Sequence, residues 1–278
     1  MKFNEKFFFP MTQLSVNVNK IATLRNSRGG SIPSVIQISE IILGAGAYGI
    51  TIHPREDERH ITKQDVFEIR EFLKSYNENL SKKGIPKKEF NIEGEPSERF
   101  LDLVLAARPD QATLVPVKPG EITSDHGFDL KDKTVFQTLK SLVKRFHAVG
   151  IRVSLFMETN FEQYALVKEL EADRIELYTG PFAYAYERSF EEGLASYKDY
   201  ETAAQEAHKL GLAVNAGHDL DTNNLQLFAK LPHLAEVSIG HRLVSQSLIV
   251  GMETTRKHSL EFFRKETKLR ILRILFQK

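Results

Sequence analysis

Short apolar, β-branched runs alternate with helical patterns along this chain, and that alternation leaves few folds open. Eight such runs read as strands, with exits at Asn17, His53, Glu93, Val115, Leu155, Tyr178, Asn215 and Ile239. Helical segments fall between them. Val35, Ile38, Ile41 and Ile42 recur at helical spacing behind a candidate N-cap, Ser34. Thr62 with Asp65, and Ser97, mark further helix starts. Strand–helix alternation implies parallel β/α units, and eight units in 278 residues imply a (β/α)8 TIM barrel. The rival, an open doubly wound sheet, would usually carry a Gly-rich dinucleotide fingerprint after the first strand, and none is present. The expected organisation is one α/β domain over residues 1–278, with a short N-terminal extension (1–13) and a helical C-terminal extension (267–278).

Composition narrows function by exclusion. A net charge of +1 gives no support for nucleic acid as a partner. The absence of cysteine rules out disulfides, thiolate nucleophiles and zinc–thiolate sites. No run approaches the roughly 18 apolar residues of a membrane span. Cytoplasmic residence, with no membrane partner, is the expectation.

The barrel reading gives the polar residues a meaning. In such a barrel the C-terminal strand ends share one mouth, where active sites are built. Asn17, His53, Glu93, Glu176, Asn215, His218 and His241 all lie at or just beyond strand exits. A single strand-end histidine is more often a hydrogen-bonded rim residue; seven polar residues in one topological position are hard to assign to packing. The stretch Gly49–His60 turns from a buried strand to a run of charges at Pro54, which removes a backbone donor. Residues 19–30 read as a loop with Arg25, Arg28 and a Gly-Gly end, open to two readings: a phosphate cradle or plain surface. Metal chemistry has the right residue types but no HxH or HExxH spacing, so no metal site is expected. Residues 76–88 read as a mobile surface insertion rich in lysine.

Four blocks in order carry a resemblance: Asn17–Gly29, Gly49–Ile61, Asn215–His218 and Ile239–His241. Together they resemble the pyridoxine 5′-phosphate synthase family, over about residues 14–266. The resemblance implies a (β/α)8 barrel assembled as a homo-octamer built from dimers. It implies condensation of two phosphorylated small molecules, 1-deoxy-D-xylulose 5-phosphate and 3-amino-2-oxopropyl phosphate. The products are pyridoxine 5′-phosphate, inorganic phosphate and water, with no metal or organic cofactor. By the same resemblance His53, Glu93 and His218 are acid–base residues, and Glu176 stabilises charge in the transition state. Arg55, His60 and Thr123 bind deoxyxylulose phosphate. Asn17, Arg28, Gly240 and His241 hold the amino-ketone phosphate.

This chain departs from that pattern at three places. Asn19-Lys20 stands where the family commonly has Asp-His, Asp219 where it commonly has Gly, and Tyr178 where it often has His. Asn19, Lys20 and Asp219 stay among the expected substrate contacts, with their roles open. The departures motivate an alternative of a different class, a catalytically silent phosphosugar-binding barrel. The tail 267–278 is basic and apolar and runs past the family's usual end. It reads either as a membrane-surface helix or, more simply, as an extension of the last helix packing on a neighbour.

Overall fold

A computed structural model describes residues 12–117 and 124–252; Thr123 and the 267–278 tail lie outside the described residues. Eight parallel strands close a barrel: β1 (Gln13–Asn17), β2 (Gly49–Ile52), β3 (Glu89–Gly94), β4 (Gln111–Leu114), β5 (Arg152–Met157), β6 (Arg174–Tyr178), β7 (Ala213–Gly217) and β8 (Leu234–Ile239). Neighbours pair in sequence order, and β8 returns to β1 with Gln13 opposite Glu236. The expected (β/α)8 barrel is therefore the fold. Its helices are α1 (Asn19–Asn26), α2 (Val35–Gly44), α3 (Lys63–Ser81), α4 (Glu98–Ala107), α5 (Lys133–His147), α6 (Tyr164–Glu169), α7 (Gly180–Arg188), α8 (Phe190–Lys209) and α9 (Leu225–Phe228). The chain divides into two compact units, Met1–Gly240 and His241–Lys278; in the second, residues 241–252 are helical.

Strand alternation sorts each strand into two faces. One face is apolar: Ile50, Ile52, Phe90, Ile92, Val153, Leu155, Ile175 and Leu177 are all buried. The helices supply matching stripes, such as Val66, Ile69 and Leu73 on α3 and Leu139, Leu142, Val143 and Phe146 on α5. Each large side chain buried between sheet and helices contributes about 1.5–3 kcal/mol. The other face is polar. Asn17 of β1 donates to Glu93 of β3, Arg152 of β5 pairs with Glu89 of β3, and Arg174 of β6 pairs with Glu236 of β8. None of these pairs joins adjacent strands, so all three cross the barrel interior. Between them lies a hydroxyl–amide layer in which Ser15, Thr51, Asn91 and Thr113 are hydrogen-bonded in turn. Barrel interiors are usually packed with branched apolar residues; this one is filled by ion pairs and hydrogen bonds.

Local signals fix the helix starts. Ser34 accepts from Gln37 N at 3.2 Å and Ser97 from Phe100 N at 3.2 Å. Thr62 and Asp65 form a reciprocal capping box, a device worth about 1 kcal/mol. Two expectations change. Residues 19–26 form a helix instead of a loop. The 76–88 stretch is in part the last turns of α3, and Asn77 brackets the Lys88 backbone with two hydrogen bonds, at 2.9 and 2.7 Å. Packing demands glycine at position 94, where a methyl group would overlap the fully buried Phe100 ring. Gly94→Ala is expected to destabilise the barrel by about 1–3 kcal/mol, read as a lower thermal midpoint; an unchanged midpoint would show that Phe100 moves freely.

Candidate active site

The mouth begins where β2 ends. Beyond Ile52 the His53 N–H leaves the ladder and donates to Asn19 Oδ1 at 2.9 Å. Asn17 Oδ1 accepts from Asn19 N at 3.0 Å, while Asn17 Nδ2 reaches Glu93 Oε2 at 3.2 Å. Three strand-exit residues are thereby fixed relative to one another by short amides. His53 Nδ1 stands 3.9 Å from Glu93 Oε2, with both side chains nearly buried. Burial pushes Glu93 up to about 8, against the pull of the Asn17 hydrogen bond, and the nearby Glu236 charge raises it further. Burial pushes His53 down to about 3, helped by the positive field of His60, Arg55, His218 and Arg99. At neutral pH the two face each other as a carboxylic acid and a neutral imidazole, not as an ion pair.

Across the mouth Glu176 is buried at 2% exposure and held well above the usual carboxylate range, first by burial and then by Glu93 and Glu236. Its Oε1 lies where a methyl on Gly217 would come within 2.7 Å, so glycine there leaves room for the carboxyl. His218 follows at φ +86°, a left-handed conformation uncommon for a side chain with a Cβ. Its surroundings hold it there. Its ring packs at 5.2 Å from Phe156 and 5.4 Å from Tyr178, both edge-on, and the Thr179 hydroxyl donates to the carbonyls of Gly217 and His218. Burial lowers the His218 imidazole, although Asp219 pulls the other way.

Among the described residues six buried side-chain atoms have no protein partner, and two of them, His53 Nε2 and Glu176 Oε2, lie at this mouth. A buried polar group left unsatisfied costs about 1–3 kcal/mol, so both are poised for a ligand.

A basic rim flanks the His53 side. His60 Nδ1 accepts from Ile61 N at 2.9 Å, which places the proton of the neutral ring on Nε2. Burial, Lys20 and Arg55 bring His60 down to about 4, so it is a neutral donor beside two cations. Arg25, offered by the sequence as a phosphate ligand, is instead engaged by Asp65.

The structure thus gathers Asn17, Asn19, Lys20, His53, Arg55, His60, Glu93, Glu176 and His218 at one barrel end. Gly240 packs on Asn17, where an added methyl would meet Asn17 Cβ at 3.0 Å. Arg28 is exposed on the loop after α1. Asp219 accepts from the Tyr184 hydroxyl at 3.3 Å. His241 belongs to the second unit. Asn215 lies deeper than expected: it accepts from Arg174, which also holds Glu236, both at 3.0 Å. Sequence reasoning missed Glu89, Arg152, Arg174 and Glu236. Their signal was the polar side of the period-2 alternation, as in Glu89-Phe90-Asn91-Ile92-Glu93. Among the described residues no group of three or more His, Asp or Glu side chains is arranged to hold a metal ion, and no helix is long and apolar enough to cross a membrane.

Neutral acids and imidazoles gathered at the C-terminal mouth of a (β/α)8 barrel define an enzyme built for proton transfer. A family model described as pyridoxal phosphate biosynthesis protein PdxJ matches residues 14–265, and the chain belongs to that family. It is 70% identical over 251 residues, 90% of this chain and 96% of the relative, to the pyridoxine 5′-phosphate synthase of Leptospira biflexa serovar Patoc. To the protein of the same name from Porphyromonas gingivalis it is 46% identical over 246 residues, 88% and 96% of the two chains. Among solved structures, a citrate synthase variant, SbnG, matches with TM-score 0.53 at 10% identity, covering 89% of this chain and 95% of that one. That likeness concerns the barrel fold alone.

Proposed function

We propose that this chain condenses 1-deoxy-D-xylulose 5-phosphate with 3-amino-2-oxopropyl phosphate to pyridoxine 5′-phosphate, releasing inorganic phosphate and water. The observation that carries the reading is the neutral His53–Glu93 pair beside the unpartnered His53 Nε2 and Glu176 Oε2, in a chain of the PdxJ family. Imine formation, dehydration and ring closure each need a proton delivered or removed at a fixed place. Glu93, protonated at neutral pH, can give a proton and take it back. The neutral imidazoles of His53 and His218 can accept one. Glu176, buried and within the field of Glu93 and Glu236, stabilises charge in the transition state. Arg55 and His60 are assigned to deoxyxylulose phosphate, and Asn17, Arg28 and Gly240 to the amino-ketone phosphate; for Thr123 and His241 the substrate roles rest on the family resemblance alone. The reaction as proposed takes no organic cofactor and no metal. A homo-octamer in the cytoplasm completes the proposal, and the mass of the native particle in solution tests the assembly.

The test is turnover. Purified protein given both substrates should produce pyridoxine 5′-phosphate. Binding of both without product would favour the silent-barrel alternative, whose motive was Asn19, Lys20 and Asp219. Asn19 weakens that motive, because its amide oxygen holds the His53 backbone in place.

Arg55→Ala is expected to weaken deoxyxylulose phosphate roughly ten- to a hundredfold, the loss of one charge-assisted phosphate contact of about 1.5–3 kcal/mol. The amino-ketone phosphate should be little affected. Equal losses for the two substrates would contradict the two-sided site.

A further inference from the structure

Helix α1 is fastened at both ends to the loop that follows β2. At its start Asn19 Oδ1 takes the His53 N–H at 2.9 Å. At its last turn Arg25 grips Asp65 of α3 with a two-pronged contact, Nη1 to Oδ1 at 2.5 Å and Nη2 to Oδ2 at 2.8 Å. The pair is largely buried, at 16% and 5% side-chain exposure. Arg25 Nη2 also donates to the His60 carbonyl at 3.4 Å. Its Nε holds Asn26 Oδ1 at 3.0 Å, and Asn26 Nδ2 then donates to the same carbonyl at 2.8 Å. The opposite side of the loop is held at Pro54, whose carbonyl accepts from Arg99 Nη2 at 3.0 Å.

A helix rises about 1.5 Å per residue, so Asn19 and Arg25 set two anchor points about 9 Å apart. The loop between His53 and His60 folds between those anchors, with the Arg55 N–H donating to the His53 carbonyl at 3.0 Å and the Glu58 N–H to the Arg55 carbonyl at 3.1 Å. It carries Arg55 and the pinned His60 ring, while α1 itself carries Lys20. Both His53 and His60 feel Arg55, and His60 feels Lys20 next after burial.

We propose that Arg25 is a positioning residue for the phosphate rim. It locks α1 to the β2–α3 loop, so that Lys20, Arg55 and His60 present one preformed anion-binding surface. The inference rests on the proposed function for the identity of the anion, deoxyxylulose phosphate. A planar guanidinium is the group this role requires, because only its fork can meet both Asp65 oxygens and still reach a carbonyl.

The test uses the full chain and three variants: Arg25→Lys, Asp65→Asn and their double. Arg25→Lys keeps the charge but loses the fork. It should raise the KM for deoxyxylulose phosphate about ten- to fiftyfold, leaving the KM for the amino-ketone and the saturating kcat within about threefold. Asp65→Asn should give the same pattern, and the double variant should be no worse than either single, since the two act as one unit. Calorimetric binding of deoxyxylulose phosphate alone should weaken by the same factor. Should Arg25→Lys not fold, Asn26→Ala removes the Asn26 bonds to Arg25 Nε and to the Arg59 and His60 carbonyls while leaving the Arg25–Asp65 fork, and should shift the same constant by about three- to tenfold. Equal losses for both substrates, or a lowered melting temperature with both KM values unchanged, would overturn the inference and leave Arg25 as a stabilising ion pair. A wild-type protein that binds deoxyxylulose phosphate but makes no product would sink the proposed function; the binding arm would still decide the role of Arg25.

Discussion

Glu93→Gln is expected to lower turnover by about 10²–10⁴-fold and, at the same time, to raise stability above neutral pH. The first effect follows from chemistry. Glutamine keeps the shape and can still accept from Asn17 Nδ2, the contact that Glu93 makes at 3.2 Å, but it cannot release a proton and take it back. Both substrates should still bind, since neither phosphate side depends on Glu93. The second effect follows from linkage. The folded pKa of Glu93, about 8, lies above its unfolded value near 4.5, so the folded state holds the proton more tightly. The stability this contributes is fully present below about pH 4.5 and is lost as pH rises through 8. At pH 7 the deficit is on the order of 3 kcal/mol, and a glutamine does not incur it. The melting temperature of Glu93→Gln should therefore exceed that of wild type at pH 8 and match it at pH 4.5. Such a gain in stability at the expense of activity is expected where a site is held in a strained state of charge. Activity within a few-fold of wild type would remove Glu93 from the mechanism; lower stability at pH 8 would show that it is ionised and paired there.

The barrel was legible because strand and helix periods differ. The exits of β1, β6 and β8 fall where they were read, at Asn17, Tyr178 and Ile239, and those of the other strands within about two residues. The caps Ser34, Thr62 and Ser97 were legible because each is a local bond between a side chain and a nearby backbone N–H. Helix α1 was misread because Asn19 and Lys20 precede no clear apolar stripe and Gly29-Gly30 suggested a loop; what holds it is tertiary, the Arg25–Asp65 and Asn19–His53 ties. Strand-exit position was enough to pick out His53, Glu93, Glu176 and His218. Their states of protonation were not legible. Both shifts come first from burial inside the barrel, and then from groups distant in sequence: Glu236, 143 residues away, for Glu93, and His218, after His60 and Arg55, for His53. Such pairings exist only once the barrel has closed.

Those opposing shifts lead to a second large effect, in the pH dependence of folding. Glu93 at about 8 and Glu236 at about 7 are carboxyl groups raised by burial. Together they favour the folded state at low pH, and that contribution fades as pH rises from about 4.5. His53 at about 3 and His60 at about 4 are imidazoles lowered by burial. Their contribution has the reverse sign: it is present above about pH 6.5 and is lost as pH falls toward the folded values. Each group changes stability by roughly 1 kcal/mol per pH unit inside its window. Between pH 4.5 and 6.5 the two windows overlap and the slopes oppose. Wild-type stability should therefore be nearly flat there, falling below 4.5 as the imidazoles charge and above 6.5 as the carboxyls do. The His53→Gln/His60→Gln double variant removes one side of the balance. Its unfolding free energy should fall as pH rises across the same interval, by roughly 1 kcal/mol per pH unit for each imidazole removed, relative to wild type, and its denaturant midpoint with it. Glu93→Gln should tilt the profile the other way. Urea titrations at pH 4.5, 5.5 and 6.5 on the three proteins decide it. Parallel profiles would mean that His53 and His60 titrate alike in the folded and unfolded chains, and the neutral acid–imidazole pair at the barrel mouth would have to be abandoned.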